Sequence, residues 1–312
     1  MVALTYAILG TGALGGFYGA RLQQAGSTVH FLMRSDYDYV CQHGLRVESP
    51  EGDITLPTVH AYRQVSDMPR CDVVVVALKT TQNHHLADLL PPVLKDDGVV
   101  LVLQNGLGIE PEVAEIVGSD RVMGGLCFIC SNKVGPGHIR HLDYKKIALG
   151  EYAEGYAAAG ITARMQQIAA DFERAGIPIE IAEDLFHARW KKLVWNIPFN
   201  GLSVVLDAQT NEMMGDPAVC QLSEQLMWEV LAGAAACGRA IAPEFVQTML
   251  DHTAQMSPYR TSMKIDYDER RPLELDAIFG KPLKFATAAG ANLPRIDMLY
   301  RQLQFLDARN RQ

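Results

Sequence analysis

The segment Gly10-Thr11-Gly12-Ala13-Leu14-Gly15 constrains what this chain can fold into more than any other. The spacing G-x-G-x-x-G is common in loops and weak on its own. Here it follows the short apolar run Tyr6-Ala7-Ile8-Leu9 and opens a helical stretch over 16–25, closed by Gly26. A strand, a glycine turn and a helix in that order form a phosphate-binding turn. Gly10 permits the tight turn, Gly12 lets the backbone approach a pyrophosphate, and Gly15 lets helix and strand pack closely. The helix start then offers its N–H groups to the anion. The expected ligand is a dinucleotide, with Gly10, Thr11, Gly12, Ala13, Leu14 and Gly15 as its cradle.

The chain after this turn keeps alternating apolar runs with helical patterns. Residues 29–33, 72–78 and 98–103 read as further strands, the second a β-branched run suited to burial on both faces. Strands separated by helices imply a parallel, doubly wound sheet of Rossmann type. Residues 121–130, 139 and 146–151 suggest more strands, antiparallel edge strands among them. From about residue 178 long helical periodicities take over. Helices are expected over 163–176, 184–203 and 243–256. Asp216 and Pro217 begin another that ends at Gly238, and 273–289 reads as a helix kinked by Gly280 and Pro282. The fold class is α/β: a Rossmann-type doubly wound sheet over 1–178, then an all-helical domain over 179–312.

Composition narrows the function. With 48% hydrophobic and 21% charged residues, the chain can bury a core and is not disordered. A net charge of -8 disfavours nucleic acid and anionic membrane as partners, though a local cation can still hold a small anion. No apolar run reaches the length of a membrane span. The opening residues lack a basic stretch and are broken by glycines, so a signal peptide is not expected and a cytoplasmic location is. Cys127 and Cys130 form a lone C-x-x-C, read as a strand with its thiols on opposite faces rather than half a metal site. The histidines show no ligand spacing beside carboxylates, so no metal is expected. Oligomeric state stays open, a homodimer included.

The choice of dinucleotide turns on the end of the second strand. An acidic residue there, about 20 residues past the glycines, bonds the ribose 2′-hydroxyl of NAD, whereas an Arg accommodates the 2′-phosphate of NADP. This chain has Arg34, which favours NADP(H), but Asp36 lies two residues beyond.

Lys192, Asn196 and Asn200 recur every fourth residue within the expected helix over 184–203. On a helix this puts a cation and two amides on one face, one turn apart. Asn is a poor helix former, so two on one face need a reason. Pro198 is expected to disturb the ladder locally. Lys79 and Gln104-Asn105-Gly106 end strands at the sheet edge where α/β folds bind ligands. Ser262 and Glu274 follow downstream.

These residues, in this order along nearly the whole chain, resemble the ketopantoate reductase (2-dehydropantoate 2-reductase) family. The Lys-x3-Asn-x3-Asn block with Ser262 and Glu274 is far more specific than the glycines. The resemblance implies NADPH-dependent reduction of 2-dehydropantoate to (R)-pantoate, in pantothenate and coenzyme A biosynthesis. It implies that Lys192 is catalytic, as general acid, and that Glu274 is an active-site carboxylate also near the cofactor. It implies substrate contacts for Asn105, Asn196, Asn200 and Ser262, and cofactor contacts for Arg34, Lys79 and Asn105. The chain departs from the family where Gly201 follows Asn200, a place often held by proline, and where Lys191 doubles the charge beside Lys192. The chemistry agrees: a 2-keto acid gains negative charge on its carbonyl oxygen as it is reduced, and an ammonium can stabilise that charge and supply the proton. Two alternatives stand beside this reading. One is a paralogous reductase of another 2-keto acid; the other is a nucleotide-binding sensor without catalysis.

Overall fold

Residues 3–311 are described by the computed structural model. Strand β1 (Thr5–Leu9) runs into the glycine turn and helix α1 (Ala13–Gln24) leaves it. The helix starts three residues earlier than the glycines suggest, and it carries Gly15, Gly16 and Gly19 inside. Side chains there would collide: a Cβ on Gly16 would lie 2.1 Å from Ile139 Cδ1, and one on Gly19 2.4 Å from Phe31 Cε1. Close packing of helix on sheet outweighs the poor helix propensity of glycine.

The chain continues through β2 (Thr28–Leu32), α2 (Tyr37–His43), β3 (Leu45–Glu48), β4 (Ile54–Leu56), β5 (His60–Tyr62) and β6 (Cys71–Val76). It then forms α3 (Leu86–Val93), β7 (Leu94–Val102), α4 (Glu110–Val117), the long hairpin β8 (Val122–Gly135) and β9 (His138–Glu151), α5 (Ala163–Arg174) and β10 (Ile179–Ile181). Among the described residues these strands make one ten-stranded sheet of order β4-β3-β9-β8-β7-β6-β1-β2-β5, with β10 against β9. From β5 through β8 the neighbours are parallel, and Val73 to Val76 are fully buried in their midst. The antiparallel pairs are β8 with β9 and β3 with β4, so the sheet is extended beyond its parallel part. Because β2 and β6 flank β1 on opposite sides, the strand order reverses beside β1, and the glycine turn sits at that switch point.

A register irregularity between Phe128 and Cys130 interrupts the pairing of β8 with β9, and both Cys127 and Cys130 are buried.

Two compact units result. One runs up to Gln104 and resumes over Ile109–Leu185; the other is Asn105–Gly108 with Phe186–Gln312. The division falls after β10, beyond the boundary expected at 178, because that strand pairs in parallel with β9 and Ile147 N donates to Pro178 O at 3.0 Å.

The second unit is helical: α6 (Leu185–Val205), α7 (Thr210–Gly215), α8 (Pro217–Ala236), α9 (Glu244–Gln255), α10 (Ser262–Asp268), α11 (Lys281–Ala288) and α12 (Pro294–Asn310). Asp216 caps α8 by accepting from Ala218 N and Val219 N, and Glu229 caps α12 by accepting from Arg295 N and Ile296 N. The helix expected over 273–289 is shorter: a π-helical turn, Asp276–Gly280, precedes α11, which has Pro282 in its first turn. Helix α6 runs through Pro198 without a break, although the proline withholds one backbone donor. Gly201 is explained by space, since a Cβ there would lie 2.6 Å from Leu299 Cδ2 and 3.2 Å from Phe279 Cζ.

Candidate active site

The first unit carries the glycine turn, Arg34 and Lys79. Gly10 has φ +98°, and a Cβ would lie 2.7 Å from Leu78 N, so only glycine makes this turn. A Cβ on Gly15 would lie 2.3 Å from Gly10 O. Gly12 differs: nothing lies within 4 Å of its Cβ position. It is also the N-cap of α1 and, having no side chain, leaves the first-turn N–H groups without a capping acceptor from that position. That is the cradle a pyrophosphate fits, close backbone included. Thr11 Oγ1 donates to Leu32 O at 3.0 Å and ties the turn to the end of β2.

Arg34 lies just past β2, exposed, with Nη1 3.4 Å from Gln82 Oε1. Gln82 belongs to the 3-10 turn Thr80–His85 that follows β6, and its N donates to the carbonyl of Lys79, also exposed. Arg34 and Lys79 therefore stand at the ends of the two strands that flank β1. Asp36 points elsewhere. Its carboxylate is buried and pairs with Lys133 Nζ at 2.6 Å, while Gly137 N donates to it at 3.0 Å and Ser35 Oγ at 2.9 Å. Burial by itself raises the Asp36 pKa, but the bonds from Lys133, Gly137 and Ser35 outweigh it and hold the carboxyl below its ordinary value.

The second unit carries the remaining candidates. Lys192, half-buried, and Asn196 and Asn200, 5% and 2% exposed, share α6 at the expected spacing. Asn200 Oδ1 is buried and has no hydrogen-bond partner among the described residues, which costs about 1–3 kcal/mol unless a bound molecule donates to it. The ammonium of the adjacent Lys191 sits over the Phe245 ring, 4.9 Å from the centroid.

Ser262 opens α10, directly after its N-cap Thr261. Ser203 Oγ donates to Asn200 O at 3.0 Å and lies 2.8 Å from Thr261 Oγ1. This fully buried bridge ties the Asn200 turn to the start of α10. A second tie is ionic: buried Lys264 pairs with Asp207 at 2.7 Å and with Asp268. Sequence reasoning singled out none of Ser203, Thr261, Lys264 and Asp207. The available signal was local, a serine on an apolar helix three residues past Asn200.

Glu274 is buried in the segment ahead of the π-helical turn, where its carbonyl accepts from Ile278 N at 3.2 Å. Asn105, half-buried, begins the loop after β7 that groups with the helical unit. Leu107 N donates to Ala277 O at 2.9 Å, Lys281 Nζ donates to Gly108 O at 3.1 Å, and a Cβ on Gly106 would lie 2.4 Å from Ala277 O. The loop of Asn105 is thus pinned three residues after Glu274. Substrate and catalytic candidates all fall in the second unit, and the glycine turn, Arg34 and Lys79 in the first.

A doubly wound parallel sheet with an open glycine cradle at its switch point, followed by a helical unit bearing a lysine–amide stripe, defines an NAD(P)-dependent oxidoreductase. The comparisons narrow the class. The family described as ketopantoate reductase PanE/ApbA matches residues 6–154, and its C-terminal counterpart matches 184–307. A 2-dehydropantoate 2-reductase of Nostoc sp. is 66% identical over 306 residues, 98% of this chain and 96% of its own. The crystal structure of a 2-dehydropantoate 2-reductase from Geobacter metallireducens superimposes with a TM-score of 0.93 at 42% identity, covering 97% of this chain and 99% of that one. One from Methylococcus capsulatus gives 0.89 at 31% identity, covering 99% and 98%. The chain belongs to the ketopantoate reductase family.

Proposed function

We propose that the chain reduces 2-dehydropantoate to (R)-pantoate with NADPH, a cytoplasmic step towards pantothenate and coenzyme A. The observation that carries this reading is the stripe on α6. A half-buried lysine shares one helix face with two buried amides, one and two turns further along, and among the described residues the acceptor oxygen of the second, Asn200, has no partner. Buried polar groups are normally satisfied, so an orphan on the face that carries a cation supports a polar ligand.

The glycine turn and first-turn N–H groups of α1 would hold the pyrophosphate, Arg34 the 2′-phosphate, and Lys79 a further phosphate or ribose oxygen. NADPH held there would supply the hydride for reduction of the C2 carbonyl. The ammonium of Lys192 stabilises negative charge on the carbonyl oxygen and delivers the proton that completes the alcohol. Asn196 and Asn200 each offer a donor and an acceptor, suited to the substrate's carboxylate and hydroxyl. Ser262 adds a further contact. Glu274 accepts from a substrate hydroxyl or the cofactor ribose. Asn105 contacts both substrate and cofactor.

The test is steady-state NADPH oxidation with 2-dehydropantoate against a panel of other 2-keto acids. The highest kcat/KM is expected on 2-dehydropantoate. A larger value on another keto acid would transfer the proposal to that substrate, and turnover of none would leave a nucleotide-binding protein.

A further inference from the structure

The end of β2 presents two opposite charges at the place where a dinucleotide's adenosine ribose is read. Arg34 lies 19 residues and Asp36 21 residues after Gly15. Both match the spacing at which one residue discriminates NADP from NAD. The turn between them is tight, with Tyr37 N donating to Arg34 O at 3.4 Å. An ionised, available Asp36 would accept from a 2′-hydroxyl and repel a 2′-phosphate, cancelling much of what Arg34 contributes.

The structure removes Asp36 from that role by contacts about 100 residues away in sequence. Lys133, near the end of β8, places Nζ 2.6 Å from Oδ1, and Gly137, in the β8–β9 turn, donates its N–H to Oδ2 at 3.0 Å. That turn is firmly seated. Gly137 O accepts from Arg46 N at 2.8 Å. Gly137 has φ +60°, and a Cβ there would lie 2.8 Å from Val40 Cγ2 and 3.0 Å from Gly44 O. The N–H is therefore held against α2 and aimed at the carboxylate. With Ser35 Oγ as a third donor, Asp36 is only 7% exposed. Arg34, by contrast, is exposed.

We infer that Lys133 is a specificity-determining residue for the cofactor: by holding the Asp36 carboxylate in the tip of the β8–β9 hairpin, it keeps a residue suited to NADH from being used and leaves Arg34 to select NADPH. Lys133 acts through Asp36 and is a positioning residue. The inference rests on NADPH being the preferred cofactor.

The experiment measures dissociation constants for NADPH and NADH on the full chain, for the parent and three variants. The parent ratio tests the cofactor reading alone: if the parent favours NADH, that reading fails and takes the inference with it. With a parent that favours NADPH, Lys133→Met is expected to lower the preference roughly three- to tenfold, the scale of one uncompensated charge at short range in partly wet surroundings. Lys133→Arg, which keeps the cation, is expected to retain the parent ratio. Adding Asp36→Asn to Lys133→Met is expected to restore it, because the harmful carboxylate is gone. A merely structural Lys133 would weaken both cofactors alike and leave the ratio unmoved; that result, or a double variant no better than Lys133→Met, overturns the inference while the NADPH reading stands.

Discussion

Lys192→Ala is expected to lower kcat about 10²–10⁴-fold, the usual loss for a general acid, with NADPH affinity near that of the parent. On the proposed mechanism the variant lacks the ammonium that would meet the developing alkoxide and supply its proton, while the glycine cradle lies in the other unit. Lys191→Ala is the internal control. It removes an equal charge one residue away, about 100° around the helix. Its ammonium is already engaged over Phe245, so its loss costs stability of about 0.5–1 kcal/mol and leaves turnover largely intact. His187 is not expected to substitute, because five residues ahead of Lys192 on α6 place it about 140° away. Steady-state kinetics and thermal melts on both variants decide the matter. Equal losses of kcat, or a dead Lys191→Ala beside an active Lys192→Ala, would remove Lys192 from its assigned role.

Arg34→Ala is expected to weaken NADPH roughly 10- to 150-fold, the equivalent of about 1.5–3 kcal/mol for a charge-assisted contact, and to leave NADH nearly unchanged. Arg34 is exposed at the end of β2, its hydrogen bond to Gln82 is long, and Asp36 is occupied by Lys133, so among the described residues little competes for the guanidinium. Titration of both cofactors into parent and variant checks this. Parallel weakening of NADPH and NADH would make Arg34 a general contributor to binding rather than the residue that reads the 2′-phosphate.

The legible parts of this protein are those whose chemistry is local. The glycine turn is six residues, its three glycines each with a steric reason visible in the spacing, and the structure assigns those glycines three different surroundings. The Lys192–Asn196–Asn200 stripe follows from helical period alone and survives Pro198, because a proline removes one bond from a long helix held by packing. What stayed hidden depends on chain segments that meet only after folding. The Asp36–Lys133 pair spans 97 residues and the Ser203–Thr261 bridge 58. No periodicity points from one partner to the other. Asp36 is instructive because an acidic residue two positions past Arg34 complicates the local reading, and its partners Lys133 and Gly137 come from a hairpin that the sequence does not place beside it. The boundary near 178 shows the same effect: a three-residue strand has too little pattern to announce its pairing with β9.

The central claim is reduction of the keto group of 2-dehydropantoate by direct transfer from the nicotinamide, and product analysis tests it most directly. NADPH carrying deuterium at the transferable position of nicotinamide C4, incubated with the chain and 2-dehydropantoate, is expected to give (R)-pantoate with one deuterium at C2, in step with cofactor oxidised. Cofactor oxidised without label in pantoate, or bound cofactor with no pantoate formed at all, would contradict it.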